Sequence, residues 1–214
     1  MWSTTLEIAL SISKYIFPKE VGKIMRVQRI EVKKCFVVSE EGKERLRNKE
    51  GCAFQEELDK LVKGVQDRSE KELNQSITQP QRLGKYDELT WYFEECSIDD
   101  VGVWYPAGGL PETWCIGSVR ETAQCICQNP REIARISKQG NDKRAINNLP
   151  VIVKVANTIL TSRYLTPIIV PGGTWRPTPP CTRMKGDIAD GFMRAIAFAI
   201  KGYEKFKAYV GKPT

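Results

Sequence analysis

The spacing of apolar positions divides the chain into short elements. From Phe54 to Val65, the residues Phe54, Leu58, Leu61, Val62 and Val65 recur at helical spacing and predict a helix with one buried face. Glu40–Arg47 is also expected to be helical, as are 118–127, 130–137 and 149–161, with Pro130 and Pro150 suited to a first turn. Leu6–Ile16 suits a short helix ending before Pro18, although its apolar residues fit strand alternation in part. Val27, Ile30, Val32, Phe36, Val37 and Val38 give Met25–Val38 a β-branched character that predicts one or two strands. Strands are also expected at Leu89–Phe93 and Val101–Tyr105, joined by an acidic connection through Ile98-Asp99-Asp100. The polar stretch Gln66–Lys85 is expected to be a linker or long surface loop, placing a domain boundary near residue 85.

The last fifty or so residues carry the clearest pattern. A buried strand at Thr166–Val170 leads, through a long loop, to a tight Asp190-Gly191 turn. A helix opens at about Phe192 with Ile196, Ala197 and Ile200 on one face, stops at Gly202, and is followed by a strand at Ala208–Gly211. The expected class is α/β (α+β), with residues 1–85 as a charged N-terminal extension or small module and 86–214 as the main domain.

Composition narrows the function classes. At 214 residues, 41% hydrophobic and 28% charged, the chain can bury a sizeable core and fits neither disorder nor a membrane protein. No apolar run approaches the ~20 residues of a membrane span, and Met1–Phe17 lacks an export pattern, so an intracellular, cytoplasmic protein is expected. A net charge of +7 favours anionic partners such as nucleotides or nucleic acid, although acidic and basic residues interleave in stretches such as Glu40–Arg45. The cysteines number seven, and Cys125-x-Cys127 lacks the two-residue gap and second pair of a structural zinc site, so reduced thiols and no metal centre are expected.

The Asp190 turn carries the candidate chemistry. A helix start exposes unpaired backbone NH groups and the positive end of the helix dipole, and anions bind there readily. Gly191 suits a turn that needs positive φ or close backbone approach. The same residues also suit a plain brace in which Arg194 pairs with Asp190 or Asp187. Between the strand and the turn, Trp175, Arg176, Arg183 and Lys185 could stack on a base and close over phosphates; a proline-stiffened loop with solvated charges is the bland alternative. Pro106–Pro111 is a small-residue loop without the lysine or spacing of a P-loop.

The order Pro167-Ile168-Ile169-Val170, then Ile188-Ala189-Asp190-Gly191-Phe192-Met193-Arg194 with Ala197, then a glycine and an apolar strand, resembles the ParB/sulfiredoxin superfamily. That group includes CTP-binding partition proteins, ADP-dependent serine kinases, ParB-like nucleases and sulfiredoxins. The resemblance covers about Leu165–Gly211. It implies a ParB/sulfiredoxin-like domain whose turn and helix start hold the phosphates of a nucleotide or phosphorylated small molecule. Gly191 and Arg194 would handle phosphate, Thr166 and Pro167 would border the site, and Asp190 would place a metal ion or orient an acceptor. Implied cofactors are ADP, ATP or CTP, with Mg2+ as a companion ion. The chain departs from the family in having Phe192 and Met193 where many relatives carry histidine, and it contains no histidine. Sulfinate repair and any imidazole-dependent mechanism are thereby excluded, leaving Glu94, Glu95, Asp99 and Asp100 as general-base candidates.

Three activities follow from that reading. The favoured one is nucleotide or phosphate binding, extended to phosphotransfer. DNA binding without catalysis, as in partition proteins, is the first alternative, although the helix-turn-helix domain those proteins add after the nucleotide fold is missing on the expected side. A ParB-like nuclease is the second, with Asp187 and Asp190 as neighbouring carboxylates.

Overall fold

The computed structural model describes residues 24–77, 83–103, 109–115, 117–139, 145–171 and 186–214. It has a mixed α/β architecture built on one six-stranded sheet. The strands are β1 (Met25–Val27), β2 (Leu89–Ser97), β3 (Val101–Val103), β4 (Ile168–Val170), β5 (Gly186–Asp190) and β6 (Lys205–Pro213), in the order β1-β2-β6-β4-β5-β3. The helices are α1 (Arg29–Arg45), α2 (Gly51–Gln66), α3 (Glu70–Gln75), α4 (Val119–Gln128), α5 (Pro130–Gln139), α6 (Leu149–Lys154), α7 (Ala156–Thr161) and α8 (Phe192–Ile200).

The longest pairing joins β2 to β6 antiparallel, from Leu89↔Pro213 to Ser97↔Lys205. β6 runs parallel to β4, β4 antiparallel to β5, and β5 parallel to β3. Ring contacts show helices on both faces. On one face, Phe36 of α1 meets Tyr86, which meets Trp91 of β2 at 5.0 Å between ring centroids. The Trp91 indole donates a 2.9 Å hydrogen bond to the Tyr86 carbonyl, which satisfies its one polar atom at full burial. On the other face, Phe198 of α8 packs on Phe206 of β6.

Met25–Val38 differs most from expectation. Only Met25–Val27 is a strand, and the β-branched run that follows lies inside α1. Val32, Cys35, Phe36 and Ser39 repeat at helical spacing, while Val37 and Val38 are buried too, so this helix is covered over most of its surroundings. Tertiary burial overrides β-propensity there. Gln66–Lys85 is not continuous loop: it contains α3, started by a capping box in which Ser69 and Glu72 exchange side-chain-to-backbone bonds. A similar box on Ser118 and Glu121 starts α4. The expected 149–161 helix is two helices separated at Val155, and β5 occupies residues expected to be loop.

The residue-85 boundary is crossed by the β1–β2 pairing, by the Phe36–Tyr86 contact and by one hydrophobic cluster that spans Val32 to Val210. Among the described residues, no helix is long and apolar enough to cross a membrane.

Candidate functional site

Asp190 is the last residue of β5 and Phe192 the first of α8, so Gly191 alone makes the turn. Its φ of 86° lies in the left-handed region, where side chains are strained. Close packing adds a second constraint. A methyl group at this position would lie 2.8 Å from Arg194 Nη2 and 3.0 Å from Pro167 Cα, the latter being backbone that cannot step aside. The third reason is topological: Asp190 sits beside Ile168 in the β4–β5 register, which brings the segment entering β4 against the turn.

Arg194 stands one helical turn beyond Asp190 and folds back on it. Its Nη2 donates to Asp190 Oδ2 at 2.7 Å, and its Nη1 donates to Ser39 Oγ of α1 at 2.9 Å. Both members of the ion pair are largely buried. The guanidinium therefore ties the start of α8 to α1 as well as to the strand before it. Its remaining side-chain donor, Nε, is buried with no hydrogen-bond acceptor. A buried donor on a charged group without an acceptor is uncommon in folded proteins and costs stability.

Thr166 and Pro167 lie beside this turn but are used internally. The Thr166 hydroxyl donates to the Ser162 carbonyl at 3.2 Å, and the Pro167 carbonyl accepts from the Tyr209 backbone NH at 3.0 Å. Cys35 of α1 underlies the same segment, its Sγ 3.3–3.5 Å from the carbonyl oxygens of Arg163, Tyr164 and Thr166, with one S–H to donate among them. Burial pushes its thiol well above the usual range, so it is an inert packing residue. Asp190, Gly191, Arg194 and Pro167 are thus brought together, while Thr166 turns its hydroxyl to its own chain. Arg176 and Arg183, like Trp175 and Lys185, lie outside the described residues.

Two neighbours were not foreseen. Both come from α1: Cys35 from the stretch expected to be strand, and Ser39 from just beyond it, 155 residues from Arg194. Only their i, i+3 spacing, Cys35 from Val32 and Ser39 from Phe36, hinted at a shared helix face.

Three of the four carboxylates considered as general bases, Glu94, Glu95 and Asp99, have other occupations. Glu94 is buried on β2 and meets Lys212 at 3.2 Å, and Glu95 meets Lys205 at 3.2 Å. Asp99 is held well below the usual carboxylate range by its hydrogen bond from Arg120. Across a register shift in the β4–β5 ladder, Asp190 pairs with Ile168 and Asp187 with Val170, so the two carboxylates sit opposite alternate residues of β4. Among the described residues, no group of three or more cysteine or carboxylate side chains is placed to hold a metal ion.

An open groove of about 500 Å³ lies elsewhere, lined by Arg26, Val27, Gln28, Arg29, Leu89, Thr90 and Trp91. It belongs to the β1–β2 corner and contains none of the Asp190 turn. No protein-family model, no curated protein and no solved structure matches this chain.

Proposed function

We propose that this chain is a ParB-like domain that binds a nucleotide or a phosphorylated small molecule at the start of α8. The observation that carries the reading is the Arg194 guanidinium, packed against the Gly191 backbone with Nε lacking an acceptor. An anionic oxygen is the chemistry that would complete this donor, and the adjacent helix start favours the same charge. The strand–glycine–helix–strand order around it is that of the resemblance, with β5, Gly191, α8 and β6 in sequence.

In this reading Asp190 is a positioning residue. Its bond to Arg194 aims the guanidinium, and this occupation argues for binding over phosphotransfer. Removing the Asp190 carboxylate would release Arg194 to swing away from the turn.

A thermal-shift panel of ADP, ATP, CTP and GTP with Mg2+, together with inorganic phosphate, tests the proposal. The wild type should be stabilised selectively by one ligand, and Arg194→Ala, measured against its own ligand-free melting point, should lose that response. No shift with any ligand, combined with a lowered melting point in Arg194→Ala, would make the Asp190–Arg194 pair a brace and overturn the binding reading.

A further inference from the structure

The sheet has two edges, β1 and β3, and they are treated differently. All three residues of β3 are buried, and Gly102 forms a bridge with Ser118 at the start of α4. β1 pairs with β2 on one side and, among the described residues, with no strand on the other. Ile24 and Met25, at 58% and 48% exposure, are the large hydrophobic side chains most open to solvent among the described residues, and both lie at this edge. An uncovered edge offers a row of unpaired backbone groups, and apolar side chains beside it add a reason for a partner strand to settle there.

The groove of about 500 Å³ opens at the same corner, with Val27, Leu89 and Trp91 supplying apolar walls and Arg26 and Arg29 supplying positive charge. The two arginines are not equivalent. Arg29 is held by Glu70 at 3.1 Å and Asp87 at 3.0 Å, whereas Arg26 is exposed and meets no carboxylate among the described residues. We propose that the β1 edge is a docking site for an extended peptide segment of a partner protein, apolar at alternate positions and acidic between them. Such a segment would extend the sheet beside β1 and place a carboxylate on Arg26. A second copy of this chain is a poorer occupant, because antiparallel pairing of β1 with β1 about Arg26 would set Arg26 against Arg26.

The site is separate from the Asp190 turn, and its test does not depend on the nucleotide reading. The full-length chain would be titrated with a short capped peptide alternating Val and Glu, with its Val and Lys counterpart, and with a short single-stranded oligothymidylate, by fluorescence anisotropy and amide hydrogen exchange. The Val–Glu peptide should bind and slow exchange at Ile24–Val27. Arg26→Glu should weaken that binding about tenfold or more and favour the Val–Lys peptide instead, and Met25→Lys should weaken binding of the Val–Glu peptide. Both substitutions alter exposed side chains and should leave the melting point unchanged. Failure of the Val–Glu peptide to bind, equal binding by Arg26→Glu, or protection confined to other residues would overturn the proposal. So would preferential binding of the oligonucleotide, slow exchange in the free chain at the β1 amides that face away from β2, or sedimentation showing a dimer that Met25→Lys dissolves.

Discussion

Two charge clusters tie the outer helices to the sheet, and they differ in how completely they are neutralised. At one end, Lys33 of α1 is fully buried yet meets Glu70 of α3 at 2.6 Å and Asp87, in the turn before β2, at 2.7 Å. Arg29 meets the same two carboxylates. Two cations thus face two anions, and the carboxylates keep partial access to water. At the other end, Arg194 has one carboxylate partner and one hydroxyl, and a donor is left over. The first cluster is electrically closed and reads as a fastener. The second is open in chemistry, which is the reason for placing a ligand there. Neither cluster is a strong stabiliser merely by being ionic, since desolvation offsets much of the attraction. Losing one partner from either is costly.

The largest effect expected from breaking the comparison is at Arg194. Arg194→Ala takes the guanidinium away from the largely buried Asp190 carboxylate and should cost about 3 kcal/mol in urea unfolding. Lys33→Ala should cost somewhat less, about 2–3 kcal/mol, because Arg29 still serves Glu70 and Asp87. A loss at Lys33 larger than at Arg194 would reverse the ranking of the two sites.

Next comes the pair Gly191→Ala and Gly202→Ala. Both glycines have positive φ, 86° and 84°, but a methyl group at 202 meets nothing within 4 Å. The second substitution should therefore show backbone strain alone, about 1 kcal/mol, and the first about 2–3 kcal/mol. Equal losses would mean that the close approach of Pro167 and Arg194 to Gly191 contributes little.

Smaller still is Ser69→Ala, which removes the cap of α3 next to Glu70 and should cost about 1 kcal/mol. The effect should be reduced in a Lys33→Met background if the cap and the cluster act together, a coupling that a double-mutant cycle reads directly.

Acid provides the mildest probe. The hydrogen bond from Lys33 holds the Glu70 carboxyl below its ordinary value of 4.5. The unfolded chain thus binds a proton at Glu70 before the folded chain does. The contribution is fully present above 4.5 and fades as the pH falls through the lower folded value. Lys33→Met should flatten this part of the stability–pH curve, and an unchanged slope would show that Glu70 is not the group responsible.

The C-terminal unit was legible because its signals are local. Ile196, Ala197 and Ile200 share a helix face, Gly191 and Gly202 punctuate both ends of that helix, and a single apolar run forms the core of β6. Of the two brace partners that the sequence offered Arg194, Asp190 and Asp187, the structure pairs it with Asp190. The strand before them was hidden, because Gly186 and Asp187 resemble loop residues, although both are buried within β5. Gly186 is there for a packing reason: a methyl group would come within 2.0 Å of the Val170 carbonyl oxygen. Similarly, nothing local distinguishes Lys33 from any other lysine, since its burial depends on carboxylates 37 and 54 residues away reaching the same point.

By itself the sequence determined the mixed α/β character, the helix boundaries marked by Gly191 and Gly202, and the presence of a carboxylate and an arginine on one helical turn. Those features depend on backbone preference and on periodicity over a few residues. Tertiary structure decided that Val32–Val38 would be helix, that Ser39 would meet Arg194, that Lys33 would be buried and that β1 would be an edge strand among the described residues. Each of these depends on surfaces contributed by segments far apart in the chain, and burial against such surfaces outweighs the few tenths of a kcal/mol by which local propensities differ.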